Sequence, residues 1–417
     1  MGVADASGPK QSFASRSLGL ATLLALSIGA ATAATAADKT VRIGVLNDMS
    51  GVYSDFQGPG SVISAQMAVE DFGGKVAGMP IEVLAGDHQN KPDVGASVAQ
   101  RWFDSDGVDV IVDVPNSAVA FAVSNIVRQR NKVLLGSGAG SAELTGKFCS
   151  PNTVHWTYDT WAQGHGLARA LVGQGLKKWF FITSDYAFGQ DLEHSASEEV
   201  VKDGGTVIGG VRHPLGTSDF SSFLLQAQSS GADIVAFANA GGDFTTSVKQ
   251  AVEFGLPQHQ KLTGLILNTN NVPALGIETA QGLFALNPFY WDTNEATRAW
   301  AKRWAARHPK GNMPNDMQAG VYSAILHYLK AVEKVGSATD GKAVVDAMKA
   351  MPTDDILFGK GRIREDGRTL HPMYLFQVKT PAESTGKWDV YKLVSTVPAD
   401  QAFRPMADGN CPLVKTH

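Results

Sequence analysis

The feature that most constrains this fold is one strand-turn-helix-strand unit running from Val41 to Ala85. Val41-Arg-Ile-Gly-Val-Leu46 is a short β-branched run of the kind that forms a buried strand, and it breaks at the turn-forming stretch Asn47-Asp-Met-Ser-Gly51. Gly58-Pro-Gly60 opens a helix in which Val62, Ala65, Val69 and Phe72 recur at helical spacing and predict one buried face. Gly73-Gly74 ends that helix, and Pro80-Ile-Glu-Val-Leu-Ala85 supplies the next strand before Gly86-Asp87. A connection of this length between two strands is a parallel crossover, so the chain is expected to be α/β.

The alternation continues. Helices are expected over 93–103 and 118–130, with strands over 108–114 and 132–135. The rhythm breaks at Cys149-Ser-Pro-Asn152 and the aromatic stretch from His155 to Trp161, where a lobe boundary is expected. A second series follows, with strands over 178–183, 206–211, 233–238 and 262–267 and helices over 190–203, 219–229 and 244–254. Two similar α/β lobes in sequence are the expectation. Helical stretches over about 294–307, 317–335 and 342–351 bring no strands of their own, so they must pack on a lobe already formed. Residues 373–378 and 388–393 read as a C-terminal hairpin.

Composition narrows the function classes. Lys10 and Arg16, the apolar stretch from Leu18 to Ala30, and Ala34-Thr35-Ala36 have the pattern of a secretory signal, with mature protein starting near Ala37. No cysteine lies near the cut, so no lipid anchor is expected. Beyond it no apolar run reaches the ~18 residues a membrane-crossing helix needs. Removing residues 1–36 takes away Lys10, Arg16 and Asp5 and leaves 34 basic against 39 acidic side chains, a net charge of −5. That balance argues for neither nucleic acid nor an anionic membrane as partner. The 381 residues that remain exceed what a single core usually serves, which again favours two lobes. The two cysteines, Cys149 and Cys411, are expected to pair in an exported chain, pinning the C-terminal tail to the body; two buried free thiols are the alternative.

Spacings that carry catalysis are missing. There is no Gly-x-Ser-x-Gly elbow, no Walker loop and no His-Glu-x-x-His, and the ten histidines are scattered, so neither an enzyme nor a metal or cofactor is expected. His155 and His165 match no common zinc pattern. Gly136-Ser-Gly-Ala-Gly140 follows a strand as a dinucleotide loop would, but its third glycine is out of place and it belongs to the fourth strand rather than the first. It is better read as an anion or amide cradle, because small residues let a ligand approach backbone N–H groups. Asn116-Ser117 holds the equivalent place one strand earlier, and the two loops are expected to converge on one carboxylate. For Ser117 an ordinary helix cap is the competing reading.

Taken in order, Ser50-Gly51, Gly73-Gly74, Gly78, Asp87, Asn116-Ser117, Gly138-Ala139, Glu143-Leu-Thr145, Tyr186-Ala-Phe-Gly189 and Asp219-Phe-Ser221 resemble the type I periplasmic solute-binding proteins of the leucine/isoleucine/valine-binding kind. The resemblance covers essentially all of residues 40–400. It implies two Rossmann-like lobes joined by a three-crossover hinge, a ligand in the cleft between them, and delivery of that ligand to the membrane permease of an ABC importer. Crossovers are then expected near Thr157–Tyr158, Leu286–Asn287 and Pro372–Met373. Lobe 1 becomes 37–157 plus 287–372, and lobe 2 becomes 158–286 plus 373–417. A monomeric periplasmic protein without cofactor is implied.

Matched residue by residue, Ser117 stands where the family has a carboxylate-binding serine, and Ala139, Gly140 and Ser141 form its second carboxylate loop. Phe56 matches an aromatic wall residue, Phe188 with Tyr186 the aromatic contact of the second lobe, and Tyr322 an aromatic of the first. Tyr53, Asn116, Tyr158, Asn239 and Thr269 complete the expected ligand-binding set; for the aromatics, plain core packing is the competing reading. One departure bears on the ligand. Amino-acid binders of the family hold the ammonium with an acid after the strand corresponding to 262–267, and here that stretch reads Asn268-Thr-Asn-Asn-Val272. An ammonium without a charged partner in a closed cleft is costly, so the expected ligand is a carboxylate lacking an α-amino group. Stretches such as Gly361-Arg-Ile-Arg-Glu-Asp-Gly367 and Trp388-Asp-Val-Tyr391 are similar to a branch whose members often bind aromatic carboxylates, which makes an aromatic or 2-oxo acid the leading expectation. An amino-acid ligand, with Asp243 facing the cleft, is the runner-up; a sensor docking on a membrane receptor is the other class.

Overall fold

A computed structural model describes residues 40–415; the expected export signal lies outside them. Val41–Asn47 pairs in parallel with Ile81–Asp87, residue for residue, so the opening unit is the predicted crossover. It belongs to a six-stranded sheet in the order Lys75–Val76, Met79–Asp87, Val41–Asn47, Val110–Asp113, Val133–Gly136, Thr153–His155. Only the short Lys75–Val76 edge is antiparallel. Val110–Asp113 and Val133–Gly136 are buried along their whole length, as strands covered on both faces must be.

The helix Gly58–Phe72 buries a face shifted from the predicted one, the two sharing Ala65. Ser61, Ser64, Ala65, Met67 and Ala68 are buried, while Val62, Val69 and Phe72 pack only at the edge of the core. The cause is its partner, the long helix Asp316–Val335. A Cβ on Gly60 would stand 2.2 Å from the Gln318 amide, and Trp304, from the helix Glu295–Ala305, donates its indole N–H to Ser64 Oγ at 2.9 Å, so small residues face both neighbours. Together with Glu295–Ala305 and Gly341–Lys349, this late helix joins the core of the first sheet through Trp300, Trp304, Tyr328 and Val344.

The second sheet is parallel, in the order Lys261–Gly264, Ile234–Ala238, Lys178–Ser184, Thr206–His213. Its first helix, Thr160–Val172, was not expected from the sequence. Gly164 and Gly166 lower its helical propensity, yet a Cβ on Gly164 would lie 2.6 Å from the Ala196 backbone nitrogen, so this helix approaches the helix Ala187–Lys202 more closely than a side chain allows. The expected strand 262–267 stops at Gly264. Asn268 and Asn271 then close a turn, with the Asn268 N–H donated to Asn271 Oδ1 at 2.9 Å, and start the short helix Asn271–Leu275.

Two small antiparallel sheets complete the fold. Phe284–Asn287, Met373–Val378 and Tyr391–Val397 form one, its last strand running later than the expected 388–393. Thr353–Asp355, Gly359–Ile363 and Thr369–Leu370 form the other, too short and glycine-broken to show periodicity. Cys149 and Cys411 are joined in a disulfide, and Arg404 pairs with Glu143 at 2.8 Å, so the tail beyond the last strand returns to a loop of the first sheet's lobe.

The lobes are linked beside a buried Arg368. Its guanidinium donates to the carbonyls of Thr157, Tyr158 and Thr369 and to Asp159 Oδ2, with the Phe403 ring 4.4 Å away. His371 Nε2 lies 3.0 Å from the carbonyls of both Trp156 and Thr157. The segments leaving the first sheet and entering the last hairpin are thereby tied together. Among the described residues no helix is long and apolar enough to cross a membrane.

Candidate functional site

In open α/β sheets ligands bind beyond the carboxyl ends of the strands, where the strand order reverses. Here those places are the loops after Val41–Asn47 and Val110–Asp113 in one sheet, and after Lys178–Ser184 and Ile234–Ala238 in the other. They meet. Gly242 donates its N–H to the Val52 carbonyl at 2.9 Å, the hydroxyls of Tyr53 and Tyr186 bond each other, and Asn268 Nδ2 donates to Asp316 Oδ1 at 2.8 Å. Asn315 Nδ2 donates to Asn270 Oδ1 at 3.0 Å. The lobes are therefore in contact, with a cavity of about 260 Å³ at the mouth between Gly51–Phe56, Gly241–Thr246 and Asn270–Ala274.

The two expected carboxylate loops converge. Asn116, not Ser117, caps the helix Ser117–Gln129: its Oδ1 accepts the N–H groups of Ala118 at 3.0 Å and Val119 at 3.2 Å. Ser117 is thus relieved of the capping role. Its Oγ accepts the Ser141 N–H at 3.1 Å, which leaves the hydroxyl proton to donate. The amides of Ala139 and Gly140 find no acceptor among the described residues. Their loop is fixed from behind by His155 Nε2, 2.6 Å from the Ala139 carbonyl, and by Tyr158, whose hydroxyl donates to the Gly138 carbonyl at 3.1 Å. Burial, then the nearby Arg368 charge, holds His155 well below its ordinary range, so it is a neutral donor. A Cβ on Gly140 would meet the Phe188 ring at 2.8 Å and the Tyr158 ring at 3.1 Å, so only glycine lets both rings close over the loop.

The Ser141 hydroxyl is already engaged within the protein. It donates to Asp191 Oδ2 at 2.7 Å, where the Ala142 N–H at 3.0 Å and the Thr160 hydroxyl also converge, so it ties the loop to the second lobe. The aromatic set holds together apart from one member. Tyr53 and Phe56 stand edge to face at 5.3 Å, Tyr186 and Phe188 lie 5.8 Å apart, and these rings share a cluster with Tyr158, Ile266 and Met317. Burial pushes the hydroxyls of Tyr53, Tyr158 and Tyr186 upward, so all three stay neutral. The exception is Tyr322, which faces the other side of its helix: it donates to Asp71 Oδ2 at 2.7 Å and packs on Trp300 at 5.3 Å. An aromatic flanked by an apolar helix face does not reveal which side it takes. Asn239 is turned into the second lobe, with Nδ2 bonded to His213 and Ser247. Thr269 is buried between Asn268 and Asn270, the two residues that bond the first lobe. Asp243 accepts the Gly216 N–H at 3.0 Å within its own lobe, and burial pushes its carboxyl up to about 6.

A further acid stands at the border between the lobes. Asp316 opens the helix Asp316–Val335 in the first lobe and faces Asn268 of the second; burial pushes its carboxyl up to about 6, opposed by the Asn268 hydrogen bond. Beside it, Gln57 Nε2 lies 2.9 Å from Met317 Sδ. The capping box Asn315-x-x-Gln318 marks the helix start in the sequence, but nothing local places it against residue 268.

A family model described as "Periplasmic binding protein" matches residues 40–387. A periplasmic binding protein from Burkholderia mallei is 48% identical, with a TM-score of 0.88, over 90% of this chain and 99% of that one. A protein from Burkholderia xenovorans LB400, described as a branched chain amino acid ABC transporter periplasmic ligand-binding protein, is 39% identical with a TM-score of 0.78, covering 89% of this chain and 99% of that one. An ABC transporter solute binding protein from R. palustris, solved in complex with benzoate, shares the fold at 21% identity and a TM-score of 0.78, over 90% of this chain and all of that one, 100%.

Proposed function

The chain belongs to the periplasmic binding protein family, in its type I, Leu/Ile/Val-binding division, and from that premise we propose that it captures a small carboxylate with an apolar, aromatic or 2-oxo body between its lobes. As the solute-binding component of an ABC transporter it performs no catalysis. The observation that carries the ligand reading is the set of donors at one point: the Ser117 hydroxyl and the Ala139 and Gly140 amides, beneath the rings of Phe188 and Tyr158. Three donors on one spot suit a carboxylate, and the rings suit a flat or branched apolar body. In this reading the protein works as a periplasmic monomer: the ligand draws the lobes together, and the closed face docks on a membrane permease. A branched-chain amino acid is the second reading, favoured by the B. xenovorans relative and by the presence of Asp316 at the cleft.

The test is calorimetric titration of the unliganded protein with benzoate, phenylpyruvate and leucine, repeated on Ser117→Ala. A hydrogen bond to a charged group is worth about 1.5–3 kcal/mol, so the variant should lose on the order of 10- to 100-fold in affinity for whichever acid binds. Full affinity in the variant, or no binding of any carboxylate, would overturn the proposal.

A further inference from the structure

Resting on the carboxylate reading, we propose that the cleft contains a second recognition point, formed by Asp316 from one lobe and Asn268 from the other, that takes a hydrogen-bond donor on the ligand. Both side chains are 1% exposed, and both present a buried oxygen without a partner among the described residues: Asp316 Oδ2 and Asn268 Oδ1. Their other atoms are engaged with each other, since Asn268 Nδ2 donates to Asp316 Oδ1. A carboxylate accepts only, so this bond also sets the amide's orientation and leaves its buried oxygen as an unpartnered acceptor. Gln57 adds a third such oxygen nearby: its Nε2 faces Met317 Sδ, the residue after Asp316, and its Oε1 has no partner. The backbone N–H groups of Asp316 and Met317 also support the carboxylate, yet three buried oxygens remain without a hydrogen-bond partner among the described residues, so acceptors are in excess. Buried polar atoms are nearly always paired, so a group rich in N–H or O–H fits this place.

The point belongs to the same cleft as the carboxylate cradle. Gln57 Nε2 would lie 2.2 Å from a Cβ on Gly138, and Tyr158, whose hydroxyl holds the Gly138 carbonyl, is pushed upward by the charge of Asp316 among other causes after burial. The N-terminus of a 20-residue helix behind Asp316 favours its ionised form. Because the Asp316–Asn268 bond runs between lobes, this recognition point is assembled only when they close, so a ligand carrying the donor links recognition to closure. The ligand class becomes a carboxylate with a second, donating group. That donor is either an ammonium, as in an amino acid, or a hydroxyl, as in a hydroxy acid.

Four probes in three classes separate the outcomes: benzoate, which has no donor beyond its carboxylate; 4-hydroxybenzoate with a neutral donor; and leucine and phenylalanine with a cationic one. Wild type should bind a donor-bearing acid at least 10-fold more tightly than benzoate. Asp316→Asn should weaken a cationic donor by 30-fold or more and a hydroxyl by 3- to 10-fold, leaving benzoate within 2-fold. Asn268→Ala, in the opposite lobe, should show the same donor-selective loss and guards against misfolding of the first variant. If either folded variant weakens all acids equally, or benzoate binds as tightly as the donor-bearing acids to wild type, the inference is overturned. If those acids still depend on Ser117, the carboxylate reading survives that failure; if no acid binds wild type, the carboxylate reading itself has failed.

Discussion

The lobes touch along two borders, and the borders are built differently. At the hinge, Arg368 is fully buried yet donates to three carbonyls and Asp159, with Phe403 over its plane. Burial pulls it down only to about 10, so it remains charged at neutral pH. At the cleft, Asp316, Asn268 and Gln57 are as deeply buried but each keeps an oxygen unpaired. A satisfied buried network holds structure in place, whereas an unsatisfied one has a use for a group from outside. The first holds the lobes together and the second is the one proposed to receive a ligand, although composition alone would rate both as buried polar clusters.

The largest effect expected is loss of the covalent tie between the C-terminal tail and the first sheet's lobe. Cys149 and Cys411 are 262 residues apart in sequence, and in the chain-entropy view closing so long a loop contributes on the order of 4–5 kcal/mol. Replacing both by serine should lower unfolding stability by that order in a denaturant melt, with ligand affinity little changed. Arg368→Met comes next. It leaves the Asp159 carboxylate and several carbonyls without their donor, a loss of about 3–5 kcal/mol. Wild-type stability in that variant would mean the hinge network is dispensable and the contrast with the cleft is false.

The smallest effect runs the other way. Burial raises the Asp316 carboxyl to about 6, above the ~3.9 of an unfolded chain. Below pH ~3.9 both states are protonated and the group is neutral for stability. As pH rises the unfolded chain ionises first, so stability is lost until about pH 6, where the full penalty is reached. The groups facing it are Asn268 across the cleft and the neutral phenols Tyr158 and Tyr391. Asp316→Asn should therefore make the unliganded protein more stable by about 1–3 kcal/mol at pH 7, the advantage shrinking toward pH 4. An advantage independent of pH would show that the carboxyl is not the source.

Much of the loop pair proposed as a carboxylate cradle was legible because it is local. Small residues after one strand and Asn-Ser after its neighbour announce strand-end loops, and parallel pairing brings adjacent strand ends together. The roles inside it were less so: Asn116 takes the cap that Ser117 was a candidate for, and Ser141 is claimed by Asp191, which lies in the other lobe. Tyr322 failed for a related reason, since a long helix buried nearly all round offers no periodicity to say which neighbour each aromatic meets.

By itself the sequence determined the α/β alternation, the lack of strands of their own among the late helices, the cysteine pair's candidates and the strand-end loops, because each depends on periodicity, turn chemistry or composition within a few residues. Only the tertiary structure decided that Asp316 stands against Asn268 between the lobes, and that Arg368 ties Thr157 and Tyr158 to Thr369. Those pairings span 48 and about 210 residues of chain, and such distances are closed by the packing of whole lobes rather than by any local preference.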